Sequence, residues 1–250
     1  MQVDEIDCKS KAVLGKLARQ ASGLTGADIE RIVREARQMA RRERRPLSFA
    51  DLQARLAGNK PVWPQSLRSR MAIHEAGHVV AHLILGTANI EAVTIDGRQG
   101  GQVEGETYSF VTQSEAGITA QIIAKLAGRA AEEEFLGTVS AGAGGSLRSD
   151  LGQATELALA LETTLGFSKE MPLLYRQVEA TFAQLEIGGE LSGLVNDRLE
   201  RAYGQARKLV RSHRHAVQAV ADALLEHGTL IGPELNALLR DNGCNRNTES

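Results

Sequence analysis

The sequence predicts a mainly α-helical fold with one small β patch, and three observations carry that reading. Apolar residues return every three or four positions over most of the chain, as in Ile29, Ile32, Val33 and Ala36, or Val217, Val220, Ala221 and Leu224. Alternating β-branched residues bounded by turn glycines are confined to residues 90–110. Between the periodic stretches lie short runs rich in Gly, Pro, Asn and Ser. The 250 residues are 42% hydrophobic and 24% charged, ordinary values for a globular chain with ample core. A net charge of −2 argues against a nucleic-acid binder acting through its whole surface.

Residues 1–57 read as a helical domain. Leu14, Leu17 and Ala18 give one amphipathic turn. Thr25 is an N-cap with Asp28 as its capping-box partner, and the helix from Gly26 carries Ile29, Ile32, Val33, Ala36, Met39 and Ala40. Its other face holds seven arginines between Arg31 and Arg45. Glu30, Glu35 and Glu43 interleave with them, so the face reads as solvated or subunit-facing rather than as a nucleic-acid surface. Pro46 ends this helix, and Ser48 caps a short one through Leu56. Residues 58–66, with two prolines, a Gly and an Asn, read as a linker.

The next segment organises the chain. Residues 67–243 read as a second domain, opened by the stretch Ala72-Ile73-His74-Glu75-Ala76-Gly77-His78-Val79-Val80 and followed by a tail, 244–250. At ~100° per residue, His74 and His78 stand about 40° apart on one helix face. Two imidazoles so spaced can hold one Zn²⁺, and Glu75 beside them can take a proton from water. The flanks are apolar and Gly86 can end the helix, so the polar trio is expected in a buried setting, where it costs stability unless it is used. His82 repeats the four-residue step and reads as a histidine that packs against, or supports, the metal ligands rather than as one of them. Ala81 and Ile84 stand where a longer histidine motif needs Gly and His, which excludes the metzincins.

A strand over Ile90–Ile95, a turn at Asp96-Gly97-Arg98 and a second extended stretch from Gly101 to Phe110 make the β patch. Such a strand can be plain hairpin structure or can hold an extended peptide. A helix follows from Ser114 to Phe135, then a loop over 137–146, then a helix Leu151–Leu165 opened by Asp150. Three amphipathic helices, 190–211, 214–227 and 233–240, carry no visible chemistry. A catalytic zinc site needs a third protein ligand. Asp150 is one candidate, since a helix start favours its ionised form, although position alone fits a simple N-cap better. Glu132, Glu133 and Glu134 are others, though surface positions or ion pairs suit them better. Cys8 and Cys244 form neither a metal motif nor a disulfide framework, which suits a reducing compartment. No signal peptide or membrane-spanning run is visible.

Two stretches carry a family resemblance. Gly23-Leu24-Thr25-Gly26-Ala27-Asp28-Ile29 with Glu35-Ala36 and Leu47-Ser48-Phe49-Ala50-Asp51-Leu52 resembles the helical lid of AAA+ ATPases. His74-Glu75-Ala76-Gly77-His78, Leu126-Ala127-Gly128-Arg129-Ala130-Ala131-Glu132-Glu133, Asp150-Leu151-Gly152-Gln153-Ala154-Thr155 and Leu165-Gly166-Phe167-Ser168 resemble the peptidase domain of FtsH-type AAA+ zinc proteases. The resemblance implies a helical lid followed by a helical zinc-peptidase domain. It implies His74, His78 and Asp150 as zinc ligands and Glu75 as catalytic base. It also implies an endopeptidase acting on unfolded polypeptides, assembled as a hexamer, at the cytoplasmic face of the inner membrane through a partner or missing segment. Three departures stand out. The loop before Asp150 is longer than the family's, Phe167 replaces a usual Met, and no Gly-x-x-x-x-Gly-Lys-Ser/Thr loop is present to bind ATP. An ATPase motor is therefore expected elsewhere, in a longer form of this chain or in another one. A motor-less homologue acting as a non-catalytic assembly partner is the alternative.

Overall fold

Paired caps set two of the helices. In α1 (Gly26–Arg42), Thr25 Oγ1 accepts from Asp28 N at 3.2 Å while Asp28 Oδ2 accepts from Thr25 N at 3.1 Å. In α2 (Phe49–Ala57), Ser48 and Asp51 repeat the exchange at 3.3 and 2.8 Å. Each box satisfies helix-end N–H groups that no carbonyl can reach. The computed structural model describes residues 14–15, 17–18, 21, 24–58, 63–97, 100–176 and 189–243. Cys8, Cys244, the linker residues 59–62 and the tail lie outside the described residues. Those described fall into two compact units, one within Met1–Pro64 and Asp96–Gly101, the other within Gln65–Ile95 and Gln102–Ser250.

In the first unit α1 and α2 pack together, burying Ile32, Ala36, Ala40 and Leu56. Arg45 grips Asp51 with two hydrogen bonds of 2.6 and 2.7 Å. The expected arginine face is laced with acids: Arg31 pairs with Glu35 at 3.2 Å and Asp28 at 3.6 Å, and Arg55 with Glu35 at 3.8 Å. Helix α1 stops at Arg42, before Pro46, because Arg44 turns the chain with a positive φ of 54°.

The second unit is built on α3 (Gln65–Leu85), which begins inside the stretch read as linker and ends at Gly86, φ 61°. After it come β1 (Ala88–Gly97), β2 (Gly100–Thr107), α4 (Glu115–Leu136), α5 (Asp150–Thr163), α6 (Glu190–Ser212), α7 (Arg214–His227), β3 (Thr229–Ile231) and α8 (Gly232–Asp241). The second extended stretch is shorter than expected: it stops at Thr107, and Ser109–Gln113 form a 3₁₀ turn that leads into the Ser114 cap of α4. The sheet order is β2-β1-β3, with β3 antiparallel to β1 through Ala92–Ile231, Val93–Leu230 and Thr94–Thr229.

Small residues let α3 and α4 approach closely. A Cβ added at Gly77 would meet the carbonyl of Ala127 at 2.6 Å and the methyl of Ala131 at 2.8 Å. Ala72, Ala76, Ala130 and Ala131 are fully buried in the same core, which continues through Leu159 and Leu161 of α5, Ala206 and Val210 of α6, and Val217 and Leu224 of α7. Close helix approach with small side chains brings polar groups on α3 within hydrogen-bond reach of the α4 backbone.

Candidate metal centre

The middle of α3 is buried on every side, from Ala72 to Ala81. His74, Glu75 and His78 are buried with it, 7%, 7% and 6% exposed. Each imidazole spends its Nδ1 on the protein. His78 Nδ1 lies 2.8 Å from the carbonyl of Ala124, which can only accept, so this nitrogen carries the hydrogen. His74 Nδ1 lies 2.8 Å from Glu132 Oε1. Both Nε2 atoms therefore point at one place.

Asp150 meets them there. It is the first residue of α5, with Ser149 as the N-cap accepting from Gly152 N at 3.2 Å, so the simple N-cap role for Asp150 is wrong. Its Oδ2 lies 3.2 Å from His74 Nε2 and 3.3 Å from His78 Nε2, and the two Nε2 atoms are 3.1 Å apart. Zinc bonds of about 2.0–2.1 Å at tetrahedral angles put ligand atoms about 3.3–3.4 Å apart, so this N₂O triangle fits the ion with little movement. Among the described residues these three form the one His/Cys/Asp/Glu group close enough for a metal.

The electrostatics favour positive charge at the triangle. Burial disfavours a charged His74, but its hydrogen bonds to Asp150 and Glu132 outweigh this and push its pKa up to about 10. Burial would raise Asp150, but the neighbouring His78 and His74 hold it well below the usual carboxylate range. A dication competes with a proton at such a site, and binding it releases that proton. Glu75 goes the other way: burial raises its pKa, only partly opposed by His78 and His74. A carboxylate biased toward its neutral form holds a proton more readily than a surface glutamate.

Glu132 is the residue whose role the sequence reading missed. It is 2% exposed, not a surface group. Besides His74 it accepts from Arg70 Nη1 at 2.6 Å and from Ser140 N and Oγ at 2.7 and 2.9 Å. Burial raises its pKa, but these partners, His74 first, bring it down to about 2, so it stays an anion behind the imidazole. Glu133 and Glu134 make the expected ion pairs, with Arg207 and, for Glu134, also Arg211 at 2.8 Å. His82 packs as expected: its Nδ1 lies 2.7 Å from Thr87 Oγ1, and burial, with the nearby His78 and Lys125, pulls its pKa down to about 3.

Residues 62–238 match the sequence profile of peptidase family M41. The chain belongs to this family. Residues 12–54 match the AAA+ lid domain. Over about nine-tenths of its length, 90%, this M41 chain is 34% identical to ATP-dependent zinc metalloprotease FtsH 1 of Sorangium cellulosum. It is 31% identical to ATP-dependent zinc metalloprotease FtsH of Thermus thermophilus and 28% identical to the chloroplastic FTSH 6 of Arabidopsis thaliana, again over 90% and 91% of its length. It spans 40%, 39% and 36% of those three relatives. No helix among the described residues is long and apolar enough to cross a membrane.

Proposed function

We propose that this M41 chain is a zinc endopeptidase in which His74, His78 and Asp150 hold the metal and Glu75 is the catalytic base. The convergence of two helix-borne Nε2 atoms and one carboxylate oxygen within 3.3 Å carries this reading. Zinc, when bound, supplies a Lewis acid that polarises the scissile carbonyl and lowers the pKa of water to near 7. Glu75, buried beside both imidazoles, takes a proton from the attacking water and returns it to the leaving amine. Glu132 and the Ala124 carbonyl hold the two rings by their Nδ1 atoms and so keep both Nε2 atoms turned to the metal. A non-catalytic assembly role is not favoured, because burying His74, Glu75 and His78, with Asp150 against both rings, would then cost stability without return.

The relatives are named as ATP-dependent zinc metalloproteases. By that likeness residues 1–57 act as the lid of an ATPase motor, 58–66 as its linker, and 67–243 as the peptidase, with 244–250 a tail. The assembly is a hexamer at a cytoplasmic membrane face, its motor unfolding polypeptides and feeding them to Glu75. Alone, these residues cut only unfolded or short peptides. Glu75→Gln tests the mechanism: zinc content should stay at the wild-type value while casein cleavage falls by about 10³-fold or more. Undiminished cleavage would remove Glu75 from the chemistry.

A further inference from the structure

We infer that Gly128 is a positioning residue of the zinc centre: only the absence of a side chain at this point of α4 lets both imidazoles bring Nε2 to the same ion. The inference rests on the metal-centre reading. A Cβ at 128 would lie 2.5 Å from His78 Nε2, 2.6 Å from His74 Nε2 and 2.7 Å from His74 Cδ2. Non-bonded carbon contacts are comfortable only at about 3.5–4.0 Å. The rings cannot yield cheaply, since both are buried and each is fastened at Nδ1, one to Glu132 and one to the Ala124 carbonyl.

Backbone conformation does not explain the glycine. Gly128 lies inside a helix and is not among the positive-φ residues, so any L-residue could adopt its backbone. Alanine would be the better helix former. The contrast with Gly77 is instructive: a methyl there strikes the facing helix, whereas a methyl at 128 strikes the very atoms proposed to coordinate zinc. The expected outcome of Gly128→Ala is thus a helical, folded chain that holds zinc far more weakly.

The test measures zinc affinity of the full chain by competition with a chromophoric chelator, and the visible absorption of the Co²⁺-substituted protein. Gly128→Ala should bind zinc about 100-fold more weakly and lose the tetrahedral cobalt bands. Wild-type affinity and bands in the variant would overturn the inference while leaving the zinc reading intact. A wild-type chain that binds no zinc would overturn both. Should Gly128→Ala fold poorly, the same substitution in a His74→Ala/His78→Ala background decides the matter. Both rings stand within 2.7 Å of the added methyl, so with both removed Gly128→Ala should lower the metal-free thermal midpoint much less than it does in the wild type. An equal drop in the two backgrounds would refute the steric claim.

Discussion

In α1 and α2 the capping side chains close helix ends a few residues away; in α3 and α4 polar side chains turn inward and close on partners far along the chain. The capping bonds of Thr25, Asp28, Ser48 and Asp51 reach three residues, and the Arg45 bonds to Asp51 reach six. Local pairs of this kind stabilise a helix whatever it packs against. His74, His78 and Glu132 instead find partners 46 to 76 positions away. Burying such groups is unfavourable unless the partners are in place, so that arrangement speaks for a use beyond stability. The first region is fixed by rules of the helix, the second by a task.

The comparison can be broken at its inner region first. Glu132→Gln keeps the shape but removes the charge behind His74, and should weaken zinc binding about 10- to 100-fold with the fold retained. Zinc titration of the folded variant checks this; unchanged affinity would make Glu132 a merely structural ion-pair partner of Arg70. At the outer region the effects are smaller and confined to stability. Ser48→Ala should cost about 1 kcal/mol through the lost cap, read by amide exchange in α2, with zinc binding untouched. A shift in zinc affinity would mean that the two regions are not energetically separate.

The smallest effect is acid sensitivity of the outer region. Hydrogen bonds from Arg45 and then Ser48 hold the Asp51 carboxyl well below the usual carboxylate range. A carboxylate depressed on folding stabilises the fold above its unfolded pKa of about 4, and that contribution is lost as pH falls further. Exchange protection of α1 and α2 amides should therefore fade on acidification below about pH 4 in the wild type. In Asp51→Asn it should start lower and change less with pH. An identical acid profile in the two proteins would show that Asp51 does not set it.

The same contrast explains what the sequence discloses. Caps at Thr25, Ser48 and Ser114 and the stop at Gly86 are local, so the helix starts and that end could be read directly. The His74–His78 pair is legible because four residues make one helical turn. Asp150 is less so, since a loop from Gly137 to Ser149 delivers it, and spacing through a loop carries no direction; its helix-start position made it one candidate among several, and the resemblance singled it out. The three-residue β3 stayed hidden because its pairing to β1 spans the whole domain. Gly128 was visible only as a letter of a motif, and Glu132 only as one of three adjacent glutamates that could be ligands or ion-pair partners. Their physical roles depend on how closely α4 lies against the two imidazoles, and no periodicity encodes that distance.

The account stands or falls on whether Asp150 shares one ion with His74 and His78. Bound zinc per chain, measured after equilibrium dialysis of the wild type and of Asp150→Ala, tests this directly. The account predicts about one zinc per wild-type chain and a large loss in the variant. Full zinc retention in Asp150→Ala, or a wild type that retains none, would contradict it.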